Sequence, residues 1–146
     1  MNVDPSGCYS DVDIWNALET VRLKQYFQNQ PEGLNFVIKK DGANLSVGEK
    51  QLICLARALL RNTKVLVLDE ATSALDQNTD NFINDKVHEE FRDSTVFTIA
   101  HRLNTVMKSD IIMVIENKKI AEIGKREDLL RNHESAFYKM VQNAAQ

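Results

Sequence analysis

The chain has 146 residues, 43% hydrophobic and 27% charged, so it is long enough to fold around a core of its own. Its net charge of −3 gives no electrostatic reason to expect nucleic acid or an anionic membrane surface as a partner. Cys8 and Cys54 lack the spacing of zinc ligands or of a disulfide framework, so we expect reduced thiols in an intracellular protein. No apolar run approaches the roughly 20 residues that span a bilayer, and we expect the chain itself to be soluble.

The first third of the chain predicts one helix and then an irregular segment. Residues 10–13 have the pattern of a capping box, with Ser10 as N-cap and Asp13 three residues later. Apolar residues at helical spacing continue the helix through about Phe27: Ile14, Leu18 and Val21. Pro31 and Gly33 interrupt this pattern. Residues 34–44 read as a mixed loop, with a short strand at residues 36–38 as an alternative.

A second capping box at residues 46–49 predicts a helix that ends near Asn62. Its inward face comprises Leu52, Ile53, Ala56, Leu59 and Leu60. Residues 65–68 form a short continuous apolar run, which is typical of a strand covered on both faces in a parallel sheet. Residues 95–100 read similarly. A crossover helix between these strands is predicted by one apolar side: Phe82, Ile83, Val87 and Phe91.

The last part of the chain predicts a hairpin followed by helices. Two strands are expected at residues 111–115 and 119–123, around a turn at Asn117-Lys118. From Arg126 onward the sequence predicts two helical pieces. The expected fold class is therefore α/β, with a mostly parallel sheet and flanking helices.

Residues that suit phosphate chemistry lie at the start or the end of some of these elements. The turn Ser46-Val47-Gly48 opens a helix, and the free amides and positive dipole of a helix N-terminus attract phosphate oxygens. The same residues could simply cap their own helix, because capping boxes are common. In isolation, that simpler interpretation is the better one.

A carboxylate pair and a histidine stand where two predicted strands end. Asp69 follows the apolar run, at the sheet edge where α/β proteins bind ligands, and could hold magnesium. Glu70 could orient or deprotonate an attacking water, and His101 should emerge at the same edge. Adjacent acids are otherwise often solvated strand ends. His88 and His133, on predicted helices without motifs, are interpreted as structural.

The ordered set of these motifs resembles the ATP-binding cassette family. Residues 45–49, Leu-Ser-Val-Gly-Glu, are similar to its signature LSGGQ and depart from it at Val47 and Glu49. Residues 55–60, the run to Asp76 and the opening at residues 2–5 resemble the second nucleotide-binding domain of the C-type, multidrug-resistance-like branch. The resemblance covers nearly the whole chain and implies a partial P-loop NTPase fold of the cassette type, with a signature-helix subdomain.

The resemblance assigns roles to the residues singled out above. It implies that the signature residues, chiefly Ser46 and Gly48, contact the γ-phosphate of ATP bound mainly by an opposing cassette. Asp69 would organise Mg²⁺ and Glu70 would be the catalytic base. His101 matches the switch histidine that contacts the γ-phosphate. Residues 73–76, ending at Asp76, match the D-loop that communicates across the cassette dimer.

The phosphate-cradling Walker A motif has no match in these residues. Gly124-Lys125-Arg126 lacks both the Ser or Thr after the lysine and a glycine five residues before it. We therefore expect the C-terminal portion of one nucleotide-binding domain, with a signature region at about 10–62 and a Walker B, D-loop and switch-histidine core with C-terminal helices at about 63–146. Its expected partners are an N-terminal half-domain with Walker A, an opposing cassette and transmembrane domains. These would hold it at the cytoplasmic face of a membrane.

The resemblance therefore implies part of the ATPase domain of a membrane exporter, in which Mg²⁺-dependent ATP hydrolysis powers transport. Two other interpretations remain beside this one. A non-catalytic interaction module could keep the signature helix after losing nucleotide binding. A DNA-repair cassette is disfavoured, because no long heptad pattern or basic DNA-facing surface occurs between Ser46 and His101.

Overall fold

The computed structural model describes residues 3–69, 77–100 and 102–144. Two compact units are present, one ending at Phe97 and the other beginning at Thr98. None of the helices within the described ranges is long and apolar enough to cross a lipid bilayer. The helices are α1 Asp11–Thr20, α2 Lys24–Gln28, α3 Val47–Arg61, α4 Gln77–Glu90, α5 Leu103–Val106, α6 Arg126–Arg131 and α7 Ala136–Ala144, and the strands are β1 Val65–Asp69, β2 Thr95–Ile99, β3 Ile111–Glu116 and β4 Lys119–Lys125.

The first predicted helix begins as expected but is broken in two. The Ser10 hydroxyl accepts a hydrogen bond from the Asp13 amide over 3.2 Å, which confirms the capping box. The prediction of one helix to Phe27 is wrong, because Arg22 adopts a left-handed φ of 60°. The Leu23 amide then bonds the Leu18 carbonyl and the Arg22 amide bonds the Glu19 carbonyl, which is a Schellman ending. This break buries both Val21 and Leu23.

The strand alternative at residues 36–38 is wrong. These residues belong to no strand, and the hydrogen-bond partner of their backbone is a side chain. The Asn44 carboxamide accepts from the Lys39 amide over 2.9 Å and donates to the Val37 carbonyl over 3.0 Å. Phe36 packs edge-on against Tyr26 and Phe27, with ring centroids 6.2 and 5.8 Å apart. Two short 3₁₀ turns, Gly33–Asn35 and Lys40–Gly42, complete this loop.

Helix α3 lies against α1 and α4 in the first unit. It ends at Arg61, as predicted, and Asn62 terminates it in a left-handed conformation. On α4, Ile83 and Val87 are buried, as is Phe91 just beyond its end. This unit has one apolar core: Val3, Ile14, Ala17, Leu18, Val21, Leu23, Phe27, Ile53, Leu55, Ala56, Ile83, Val87 and Phe91.

Strands β1 and β2 are hydrogen-bonded neighbours, as predicted. The Thr95 amide bonds the Lys64 carbonyl over 2.9 Å, so the two strands start side by side, as parallel strands do. The prediction that β1 is covered on both faces is wrong for the described residues. Leu66 and Leu68 pack on the core, whereas the Val67 side chain is 62% exposed. The described helices of this unit therefore cover one face of the pair only.

The second unit is built on an antiparallel hairpin. Strands β3 and β4 pair with Glu116 opposite Lys119, and the predicted turn residues Asn117 and Lys118 both have positive φ. Ile112 and Val114 face a small core with α6 and α7, which confirms the two helical pieces of the tail. His133 lies between these helices rather than on one, and its ring stacks on Tyr138 with centroids 4.7 Å apart. The described strands thus form two separate two-stranded sheets.

Candidate functional site

The signature turn, residues 45–49, begins the longest helix of the described residues. Ser46 is the N-cap of α3, with an extended backbone at φ −65° and ψ 162°. Its hydroxyl oxygen accepts from the Glu49 amide over 3.2 Å, and the Glu49 carboxylate accepts from the Ser46 amide over 2.7 Å. Both halves of the predicted capping box are therefore present, and the side chains of the turn itself form both hydrogen bonds.

Two amides of this turn point along the helix axis without an intrahelical acceptor. The first intrahelical bond joins the Lys50 amide to the Ser46 carbonyl over 3.1 Å, so the amides of Val47 and Gly48 come before it. The positive end of the α3 dipole lies at the same place. The Val47 side chain is 47% exposed, so the turn is open to solvent and to a partner. This arrangement can receive an anion.

Two hydrogen bonds and one close approach stabilise the loop before the signature turn. The Lys50 ammonium donates to the Asp41 carbonyl over 2.9 Å, and the Leu45 amide donates to the Gly42 carbonyl over 3.0 Å. Gly42 has a φ of 65°, and a Cβ there would lie 2.7 Å from the Cε atom of Lys50. Any larger residue at this position would therefore strain the backbone and displace the lysine side chain that stabilises the loop.

An aromatic cluster lies beside the signature turn. The Tyr26 ring packs edge-on against Phe27, with centroids 5.2 Å apart. Burial raises the pKa of the Tyr26 hydroxyl, and the negative charge of Glu49 raises this pKa further. The Glu49 carboxylate thus acts electrostatically on α2 as well as on its own helix.

One of the remaining predicted site residues lies within the described ranges, at the end of β1. Asp69 is the last residue of that strand, exposed, on the same side as Val65 and Val67. Its carboxylate is the kind of oxygen ligand that Mg²⁺ prefers. Within the described ranges, no group of three or more His, Cys, Asp or Glu side chains could hold a metal ion. Glu70, Asp76 and His101 lie outside the described residues, so their convergence on Asp69 and the signature turn stays a prediction.

Comparison with known proteins decides the family. A family model described as ABC transporter matches residues 3–73. Multidrug resistance protein mrp-7 of Caenorhabditis elegans is 52% identical over 145 residues, which cover 99% of this chain and 10% of that protein. Human ATP-binding cassette sub-family C member 2 is 50% identical over 144 residues, covering 99% of this chain and 9% of that protein.

The chain belongs to the ABC transporter family. Its curated relatives in sub-family C confirm the multidrug-resistance-like resemblance, and the chain spans about a tenth of the length of those relatives. A solved structure titled "Structure of a bacterial Atm1-family ABC exporter with ATP bound" matches with a TM-score of 0.84 and 32% sequence identity. The match covers 99% of this chain and 25% of that one, and it confirms a partial cassette fold of the α/β class.

One buried acid of this ABC chain was not predicted from the sequence. Asp80, in the first turn of α4, is only 2% exposed. The Asn84 amide group donates to its carboxylate over 2.6 Å and to its carbonyl over 3.0 Å. Asp80 shares the buried face of α4 with Ile83 and Val87, and a carboxylate at helical spacing from two apolar residues is the signal that could have revealed it.

Proposed function

We propose that this chain forms part of a nucleotide-binding domain in an ABC exporter and presents its signature turn to ATP bound mainly by an opposing cassette. The observation that carries the proposal is the exposed turn Ser46-Val47-Gly48 at the N-terminus of a 15-residue helix, in a chain of this family. The structural neighbour, whose title states that ATP is bound, supports the choice of ligand.

The signature turn suits the terminal phosphate for two physical reasons. The amides of Val47 and Gly48 can donate hydrogen bonds to phosphate oxygens, and the dipole of α3 favours negative charge at this end. Gly48 has no side chain to obstruct the approach of a phosphate to the backbone. The Ser46 hydroxyl oxygen accepts from the Glu49 amide, and its own proton can be donated to a phosphate oxygen.

The hydrolytic roles follow from the family motifs. Asp69 would hold Mg²⁺, which neutralises charge on the phosphates when bound. Glu70 would accept a proton from the water that attacks the γ-phosphate, and His101 would contact that phosphate. Asp76, at the end of the D-loop motif, would lie close to the opposing cassette. Transport further needs transmembrane domains and the segment carrying Walker A, which would hold the chain at the cytoplasmic face of a membrane.

Titration of the ¹⁵N-labelled chain with tripolyphosphate, followed by amide chemical shifts, tests phosphate recognition. We expect saturable shifts at Ser46, Val47 and Gly48. The chain offers a matched control, because α1 begins with the same kind of capping box at Ser10 and Asp13. Equal shifts at both helix N-termini, or none at α3, would show that the signature turn has no particular affinity for phosphate.

A non-catalytic interaction module is the second candidate function. Its support is that the capping box of the signature turn is satisfied by Ser46 and Glu49 themselves. Equilibrium binding of ATP, with and without Mg²⁺, separates the two candidates. Micromolar binding by the chain alone would exclude an inert module, whereas binding of a cassette partner without any effect of ATP would support it.

A further inference from the structure

We propose that the Glu49 carboxylate is an internal competitor of phosphate at the signature turn and weakens ATP capture there. This inference rests on the proposed function, since it concerns the strength of that same site. Residue 49 departs from the glutamine of the family signature, so this chain has a negative charge where the signature has a neutral carboxamide.

The carboxylate already occupies one of the donors that the turn offers. Its Oε2 atom lies 2.7 Å from the Ser46 nitrogen, a short and charge-assisted hydrogen bond. The carboxylate is also placed at the positive end of the α3 dipole, where the phosphate would bind. A phosphate oxygen must displace this carboxylate to reach the Ser46 amide, or else bind beside it against its repulsion.

The cap itself does not need this charge. A capping box accepts glutamine as well as glutamate at its third helical position, because either side chain offers an oxygen to the N-cap amide. Replacing Glu49 by glutamine therefore preserves the fold of the turn and removes only the charge. That separation makes the proposal testable.

Within the described ranges, the charge of Glu49 is not part of an ion pair. The adjacent Lys50 ammonium is instead bound to the Asp41 carbonyl over 2.9 Å. The charge of Glu49 also raises the pKa of Tyr26, which supports the view that its electrostatic field reaches nearby groups. A phosphate about 5 Å away in water would be bound about three- to tenfold more weakly because of this charge.

The experiment compares tripolyphosphate affinity at the signature turn in the whole chain and in three variants. We expect Glu49→Gln to bind about three- to tenfold more tightly than the wild type, with a difference that shrinks as salt is added. Glu49→Asp keeps both the charge and the capping pattern, which α1 forms with an aspartate, so its affinity should lie closer to that of the wild type than to that of Glu49→Gln. Asp13→Asn, in the capping box of α1, should leave the affinity unchanged. Amide shifts and circular dichroism establish that each variant is folded.

The possible results distinguish this inference from the proposed function. Equal affinity of the wild type and Glu49→Gln overturns the competitor role and leaves phosphate binding intact. Tightening by Glu49→Asp as large as that by Glu49→Gln also overturns it, because the effect would then come from side-chain shape. Absence of saturable binding in every variant overturns the proposed function and this inference together.

Discussion

The Glu122 carboxylate of β4 accepts a hydrogen bond from the Ser135 hydroxyl, with 2.8 Å between Oε2 and Oγ. The same oxygen accepts from the Phe137 amide over 3.0 Å, in the first turn of α7. Ser135 is 2% exposed, and its hydroxyl oxygen also accepts from the Tyr138 amide over 3.2 Å. These bonds attach the start of α7 to the hairpin and satisfy amides that the helix leaves free.

Replacement of Ser135 by alanine should destabilise the second unit. The change removes a helix cap and leaves a carboxylate without one of its donors, so we expect the free energy of unfolding to fall by about 1–3 kcal/mol. Urea unfolding followed by tyrosine fluorescence measures this loss. Glu134→Gln is the control, because the Glu134–Lys139 ion pair is exposed and should contribute less than about 1 kcal/mol. A loss from Ser135→Ala no larger than that of the control would contradict the role of the buried hydroxyl.

The hairpin turn should be improved by glycine. Lys118 has a φ of 63°, a left-handed conformation that costs an L-amino acid about 1 kcal/mol or more. We therefore expect Lys118→Gly, which completes an Asn-Gly turn, to raise the free energy of unfolding by about 0.5–1 kcal/mol. The control Lys119→Gly changes the first residue of β4 and should be destabilising. Thermal unfolding measures the stability of both variants relative to the wild type. A loss of stability in Lys118→Gly would count against this turn geometry.

Acid should weaken the N-terminal segment through Asp4. The pKa of this carboxyl is lowered chiefly by a hydrogen bond from the Tyr9 amide. Burial acts in the opposite direction, and a hydrogen bond from the Ser6 hydroxyl lowers the pKa further. Because the native pKa lies below the ordinary value of 3.8, the charged carboxylate stabilises the fold fully above that value. This stabilisation is lost as the pH falls through the lower native pKa.

Melting temperatures measured from about pH 6 to about pH 2 test this pH dependence. Asp4→Asn should be less stable than the wild type near neutral pH and should lose less stability on acidification. Asp93→Asn, which alters an exposed acid, should follow the wild-type curve. Parallel curves for the wild type and Asp4→Asn would exclude Asp4 as the source.

The exposed side of the β1–β2 pair should make the isolated chain associate. Val65, Val67 and Phe97 are apolar and exposed on these strands, and contiguous apolar surface of this kind favours contacts between molecules. We expect the urea midpoint of the chain to rise with protein concentration. Phe97→Ser should reduce that dependence, whereas Val12→Ser, at an exposed position on α1, should not. A single steep transition that is independent of concentration in the wild type would contradict this expectation.

The assignment of Glu70 as general base predicts a loss of turnover without a loss of binding. In an exporter assembled with the chain, Glu70→Gln should slow ATP hydrolysis by about 10²–10⁴-fold, because the amide cannot accept the proton of the attacking water. ATP binding should be retained. Glu116→Gln is the control, since Glu116 is a glutamate at the end of β3, in the hairpin of the second unit. Hydrolysis at an unchanged rate in Glu70→Gln would remove this residue from the mechanism.

Elements with local signals were predictable from the sequence. Both capping boxes, at Ser10 and Ser46, involve residues three positions apart, so the pattern contains all the partners it needs. The turn at Asn117-Lys118 is equally local. The succession of motifs from residue 45 to Asp76 is sufficient to indicate the ABC family.

Other features depend on partners distant in the chain or on unusual backbone. Arg22 ends α1 in a left-handed conformation normally taken by glycine, so nothing in its residue type announced the break. Asn44 supplies the hydrogen bonds that a neighbouring strand would otherwise give to residues 37 and 39. The spacing of Asp80 to Ile83 and Val87 places it on the buried face of α4, but the usual exposure of charged side chains argues against its burial.

The sequence by itself determined the family, the starts of α1 and α3 and the identity of the candidate phosphate-binding residues, because these depend on short-range patterns. Only the tertiary structure decided that the described residues cover one face of β1 and that Arg22 breaks the first predicted helix. Burial and an unusual backbone conformation depend on how distant parts of the chain pack, which short-range patterns do not specify.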